Sequence, residues 1–229
     1  MVKIIGNIQA ADDYTHELGP EENFNESVYF NFFDPEQNRG GFMRIGNRAN
    51  EGYAEMTVIV WNPDGSAFFM YNKPAITHND GWDAGGLKVE VIKPAEVVRT
   101  TFTGEALFLS DPTEMRDPGR AFKNNPRKPL EIDLTHTAVG PFYGHIGEPG
   151  DGNNLRNSTC VCTVISNWGM NRLCSWPVGV YATTPGGRAT GRLHALIVGS
   201  PVISATTWEW WSPPMAMVKA AAYCKKATN

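Results

Sequence analysis

Apolar and polar residues alternate along Tyr53–Trp61. Ala54, Met56, Val58 and Val60 fall on one side, and Tyr53, Glu55, Thr57, Ile59 and Trp61 on the other. A period of two is the signature of a strand, because successive side chains leave opposite faces. The same alternation runs through Val28–Phe33, where Val28, Phe30 and Phe32 oppose Tyr29, Asn31 and Phe33. Further apolar runs are AFFMYNK, GLKVEVI, VVRTTFTG, EALFLS and PLEIDLTHTA. Turn residues punctuate them: DPEQNRGG, then Asn62-Pro63-Asp64-Gly65, then Lys93-Pro94-Ala95-Glu96. Each predicts a hairpin, with tips near Asn38–Gly41, Pro63–Gly65 and Pro94–Glu96. No run within 27–140 has a 3.6-residue apolar period, and DPTEMRDPGRAFKNNPRK reads as a polar connection. The pattern predicts an all-β fold, an antiparallel meander over about residues 27–140 that forms a barrel or sandwich. Residues 1–26 are polar, without period, and read as an irregular lead-in.

Two of the strands carry one wholly apolar face and one mixed face. Tyr29 and Asn31 share the mixed face of the first strand, and Tyr53 and Glu55 that of Tyr53–Trp61. Arg44 lies on the strand between them and is placed to pair with Glu55. A ligand-holding barrel needs apolar walls and a few polar anchors. Tyr29, Asn31, Arg44, Tyr53 and Glu55 are therefore candidate ligand contacts. The competing reading is that this face is solvated and Arg44–Glu55 is a cross-strand ion pair of little energetic weight. His78-Asn79-Asp80 followed by Trp82-Asp83-Ala84-Gly85-Gly86 forms a polar, aromatic, glycine-hinged segment between two hairpins. It reads either as a barrel mouth, with Asp83 as a further ligand contact, or as a turn built by Asx side chains and glycine. His16 reads as solvated and His136, on a strand, as a satisfied structural group. No nucleophile elbow, phosphate loop, dinucleotide fingerprint or zinc helix occurs in 1–152. The expectation is accordingly no cofactor and no metal.

Charge divides the chain. Residues 1–152 hold 23 Asp+Glu and 13 Lys+Arg, whereas 153–229 hold one acidic residue, Glu209, and 7 Lys+Arg. All four cysteines, Cys160, Cys162, Cys174 and Cys224, and five of the seven tryptophans lie in the second segment. The acidic balance of the first segment argues against a nucleic-acid partner, whose phosphates want a basic face. The opening residues have a single Lys and no apolar stretch of signal-peptide length, and no window suits a membrane span. The expected location is cytoplasmic, and the oligomeric state stays open.

The motifs NESVYFNFFDPE, GGFMRIGNRANEGYAEMTV, NDGWDAGGL, DPGRAFKNNPRKPLEIDLT and GPFYG, in this order, carry a resemblance. Over roughly residues 12–152 the chain resembles the N-terminal half of bacterial proteins of the carotenoid 1,2-hydratase (hydroxyneurosporene synthase) type. It is closer still to an uncharacterised branch of that lipocalin-like superfamily. The resemblance implies a lipocalin-like β-domain over 27–152, the first of two such domains. It also implies a hydrophobic small-molecule partner: an isoprenoid, a steroid or an acyl compound. Relatives hydrate or rearrange such substrates without a cofactor, by proton transfer in an apolar pocket. In those proteins the second domain bears an Asp-His-x-Trp-Gly signature, which is absent from residues 153–229.

A shifted reading frame permits it. Reading from the third base of each codon, the junctions from Ala182 to Gly187 admit Asp-His-Ser-Trp-Gly. The expectation is that residues 153–229 are a frameshift product without a fold of their own, and that the chain is a truncated, inactive member of its family. Two alternatives stand beside it. The first domain is a binding module that does no chemistry, or the tail is a genuine module. Cys160, Cys162, Cys174, His194 and Cys224 would then be nominal metal ligands, although their spacing is not that of paired zinc motifs.

Overall fold

Two ten-residue strands, β2 (Asn25–Asp34) and β3 (Arg39–Arg48), form the first hairpin. They belong to a computed structural model that describes residues 2–144, apart from 7, 35 and 36, and the backbone of three strands within 153–183. The chain divides into two units, Met1–Arg188 and Ala189–Asn229, and everything described belongs to the first. The candidate ligands His194 and Cys224 and the junctions after Thr183 lie outside the described residues.

The remaining strands are β1 (Ile4–Ile5), β4 (Tyr53–Trp61), β5 (Ala67–Asn72), β6 (Trp82–Ala84), β7 (Leu87–Lys93), β8 (Val97–Leu109) and β9 (Arg127–Gly144). Antiparallel ladders join β2-β3-β4-β5-β8-β9, and β7 and β6 continue from β8. β1 pairs with β9 in parallel, setting Ile4 opposite Phe142. The expected antiparallel all-β fold is present. Its nine strands do not close on themselves, since β2 and β9 are not paired with each other. The sheet nevertheless curls. Phe30 of β2 and His136 of β9, from the two ends of the path, meet with ring centroids 4.7 Å apart.

Curling gives the sheet one dry face. Val28, Phe30, Phe32, Met43, Ile45, Met56, Val58 and Val60 pack into one cluster with Trp82, Leu87, Phe102, Leu130, Ile132 and Leu134. Every even position of β4 from Ala54 to Val60 is buried and every odd one is half-exposed, as its alternation predicts. Removing this much apolar surface from water contributes more than any other interaction to holding the fold together.

Three details depart from expectation. The local sequence places Gly40 and Gly41 in a turn, but they stand inside β3 opposite Phe33 and Phe32. The turn is earlier, with Asn38 at φ 50°. A Cβ on Gly41 would lie 2.1 Å from the carbonyl oxygen of Ile59 on the paired strand β4, so the close approach of that backbone requires glycine. VVRTTFTG and EALFLS are one continuous strand, β8, because β9 pairs with it from Val97 through Leu107. The polar connection contains a 3₁₀ turn, Pro112–Arg116, and a helix, α1 (Pro118–Asn124). Each starts at an Asp-Pro pair. Asp111 accepts from the Thr113 N–H and Asp117 from the Arg120 N–H, leaving proline where no donor is needed. α1 lays Ala121 and Phe122 on Leu107, Leu109 and Phe69, on the side of the sheet away from the main cluster. Seven residues are too few to display a helical period.

Pairing continues past the charge boundary at residue 152. The backbone of β10 (Asn153–Ser166) runs antiparallel to β9, β11 (Gly169–Cys174) pairs with β10, and β12 (Val178–Thr183) pairs with both β10 and β2. These strands take up the two edges that β2 and β9 present.

Candidate functional site

Five of the six expected contacts do share one face. Register sets Tyr29 opposite Arg44 and Asn31 opposite Phe42, and on the next ladder Gly46 opposite Glu55 and Arg48 opposite Tyr53. Arg44 Nη1 lies 3.4 Å from Glu55 Oε2, and both side chains are about a quarter exposed, 24% each. The pair is diagonal. The Arg44 guanidinium lies across Gly46, whose missing side chain leaves the room. Lys73 reaches the other Glu55 oxygen at 3.5 Å and also sits 4.8 Å from the Tyr53 ring. Tyr29, Phe42 and Trp61 form an aromatic row beside them, at centroid spacings of 5.4 and 6.1 Å.

This face is opposite the apolar cluster, however, and its members are half-buried. Asp83 stands apart from them on β6, exposed opposite Lys88, while its neighbours Trp82 and Ala84 enter the cluster. An ion pair in such a place is weakly coupled, because water screens it and two flexible side chains must be ordered. A double-mutant cycle on Arg44→Ala and Glu55→Ala should return a coupling below about 1 kcal/mol in urea unfolding. A value several times larger would mark the pair as enclosed.

The dry face holds polar groups that the apolar pattern alone does not reveal. Glu26 continues the Val28, Phe30, Phe32 row and its side chain is 1% exposed. It accepts hydrogen bonds from the His16 backbone N–H at 3.1 and 3.0 Å and from Asn79 Nδ2 at 2.6 Å, and it contacts His16 Nδ1. Asn79 also donates to the His16 carbonyl at 2.9 Å and accepts from Asn47 Nδ2 at 2.9 Å. His16 Nε2 lies 3.6 Å from Asp12. His16, expected to be solvated, is thus engaged on both ring nitrogens. Of His78-Asn79-Asp80, the middle residue turns inward and its two neighbours stay exposed. The usable signal was Glu26 itself, a carboxylate in phase with three apolar residues.

A second polar pair is equally buried. His136 is 1% exposed, its Nε2 lies 2.9 Å from Thr100 Oγ1, and Thr100 is wholly buried. Burial pushes the His136 imidazole down to about 3, so it is neutral at ordinary pH. A neutral imidazole against a hydroxyl in an apolar surround can orient a polar group. Among the described residues no cluster of three or more His, Cys, Asp or Glu side chains is disposed to hold a metal. Among the described residues, too, no helix is long and apolar enough to cross a membrane.

No curated protein and no solved structure matches the chain. One family model does, over residues 9–157, a span that leaves out β1 but takes in most of the lead-in, strands β2 to β9 and both buried polar groups. That span is well over half of the 229 residues, and the chain therefore belongs to the family described as Domain of unknown function (DUF7064).

Proposed function

We propose that this domain is a lipocalin-like module that holds a hydrophobic small molecule, an isoprenoid, steroid or acyl compound, against the concave apolar face of its sheet. The observation that carries the reading is the composition of that face. An apolar lining drawn from β2, β3, β4, β6, β7, β8 and β9 is interrupted by a few fully buried polar side chains, His136, Thr100 and Glu26. Apolar walls with sparse polar anchors are what a hydrophobic ligand with one polar end requires. The face bearing Tyr29, Arg44 and Glu55 has the anchors without the enclosure. The resemblance to hydratase-type proteins supports the same ligand class, and it supports an intact enzyme that hydrates or rearranges its substrate without a cofactor.

The chain itself reads as an inactive version of such an enzyme, with residues after about 152 out of frame. The family match ends at residue 157, close to the break in charge. Strand pairing of 153–183 is compatible with this. Without residues 153–183 the β2 and β9 edges would present unpaired backbone donors and acceptors, which accept any extended segment regardless of its side chains.

Titration with parinaric acid, a polyene fatty acid that fluoresces in apolar surroundings, tests the binding. Saturable binding at one site per chain is expected, with quenching of protein tryptophan fluorescence by transfer to the bound probe. Absence of saturation would sink the ligand reading. Nucleotide sequence across codons 150–153 and 180–190 tests the rest: an alternative frame that fails to encode Asp-His-Ser-Trp-Gly would remove the frameshift. The second reading is a module that binds without chemistry. It shares the same face, and it predicts that a protein with the frame restored returns its ligand chemically unchanged.

A further inference from the structure

We propose that residues 8–24 are a hinged strap over one end of the curled sheet, and that its opening admits ligand to the apolar face. The inference rests on the ligand reading above and adds the route of entry. Apart from the 3₁₀ turn Ala10–Asp13, the strap has no regular structure, and among the described residues none of it joins the sheet as a strand. Among the described residues, polar groups attach it at three places. At the first, Glu26 and Asn79 hold the His16 backbone and ring. At the second, the Asp13 carboxylate accepts from the Ala95 N–H, and the Trp82 indole N–H reaches the Asp13 carbonyl at 3.4 Å. At the third, the exposed Asn50 side chain donates to the carbonyls of Gly19 and Glu21 at 2.8 and 2.7 Å.

Apolar packing contributes little to holding the strap. No residue from 8–24 belongs to the main cluster, and Asp13 is the one buried residue among those described in the strap. A segment held among the described residues chiefly by hydrogen bonds, one of them from the cluster residue Trp82, can leave as a unit. Water replaces its polar partners, and no buried hydrocarbon has to be exposed on its own account. What it uncovers is selective. Trp82 belongs to the apolar cluster and Glu26 is in phase with the row Val28, Phe30, Phe32. By register Trp82 stands opposite Val89, and Val89 opposite Thr100, the partner of His136. The strap therefore sits at the end of the sheet from which a ligand's polar head would reach Thr100 and His136.

Two substitutions open the strap at different points. Asn79→Asp sets a second carboxylate against Glu26 at the first attachment. Asn50→Ala removes both bonds at the third from an exposed turn, where the sheet's folding is untouched. Hydrogen exchange of the full chain should rise roughly tenfold across 8–24 in Asn50→Ala, with strands β2–β9 unchanged, since two modest hydrogen bonds are lost. The association rate of parinaric acid should rise by a similar factor, with dissociation accelerated alongside and affinity little altered. Faster exchange in the strap with an unchanged association rate would overturn the gate while leaving the ligand reading intact. Unchanged exchange in both variants would overturn the hinged strap. A wild-type chain that fails to bind the probe would instead remove the ligand reading, and the gate with it.

Discussion

Replacing Phe102 by alanine should cost about 3–5 kcal/mol of folding stability. Phe102 is wholly buried at the middle of β8, opposite Leu87 on one side and Ile132 on the other. Its ring also covers two glycines. The position a Cβ would take on Gly104 is 3.1 Å from the ring, and that on Gly86 is 3.7 Å away. Truncation thus leaves a void bounded by backbone that has no side chains to collapse into it, so relaxation recovers little. Phe102→Leu keeps most of the volume and should restore more than half of the loss. Urea unfolding of the three proteins at neutral pH measures this. A loss under about 1 kcal/mol for the alanine variant would mean that the concave face is not packed around this ring. The same variant bears on function. A face that holds ligands should accept a bulkier one once Phe102 is gone.

Alternation and turn chemistry made most of the sheet legible. Tyr53–Trp61 announces its buried and exposed positions residue by residue, because a strand with one dry face has one workable register. Asp64-Gly65 marks its hairpin through local backbone preference, Gly65 taking φ 85°, whereas at Pro94-Ala95 the proline favours the turn and Ala95 takes φ 61° against alanine's own preference. The failures share a cause. Gly41 resembles a turn residue when read locally, yet it is required by Ile59, which is distant in sequence and adjacent in space. Gly104 resembles a break in a strand, yet the ladder to β9 carries β8 through it, with the distant Leu130 opposite. The polar cluster was least legible of all. Glu26 and Asn79 are 53 residues apart, Asp13 and Ala95 are 82 apart, and a polar side chain declares burial only through its partners. Reading Tyr29, Arg44 and Glu55 as neighbours succeeded because hairpin register is local. Which face of the hairpin would turn inward was a property of the whole curl.

Acidification should destabilise this domain through His136, and His136→Gln should remove that sensitivity. An unfolded histidine titrates at about 6.5, whereas burial holds the folded imidazole down to about 3. The unfolded chain therefore binds the proton more readily, and stability falls as pH drops below about 6.5 and continues to fall towards 3. Above that window the group makes no difference. Between pH 7 and pH 5 the loss from this one residue should be about 2 kcal/mol, approaching about 1.4 kcal/mol per pH unit at the acid end. The informative quantity is the difference between wild type and variant, in which the contributions of all other groups cancel. Glutamine suits the purpose because it can still hydrogen-bond to Thr100 Oγ1 and has no proton to gain. Equal slopes for the two proteins between pH 7 and 5 would show that the imidazole protonates in place, and hence that water or a charge reaches it. The prediction also constrains chemistry. An imidazole that stays neutral down to about pH 3 is a weak base, and beside Thr100 it is suited to orienting an oxygen rather than removing a proton.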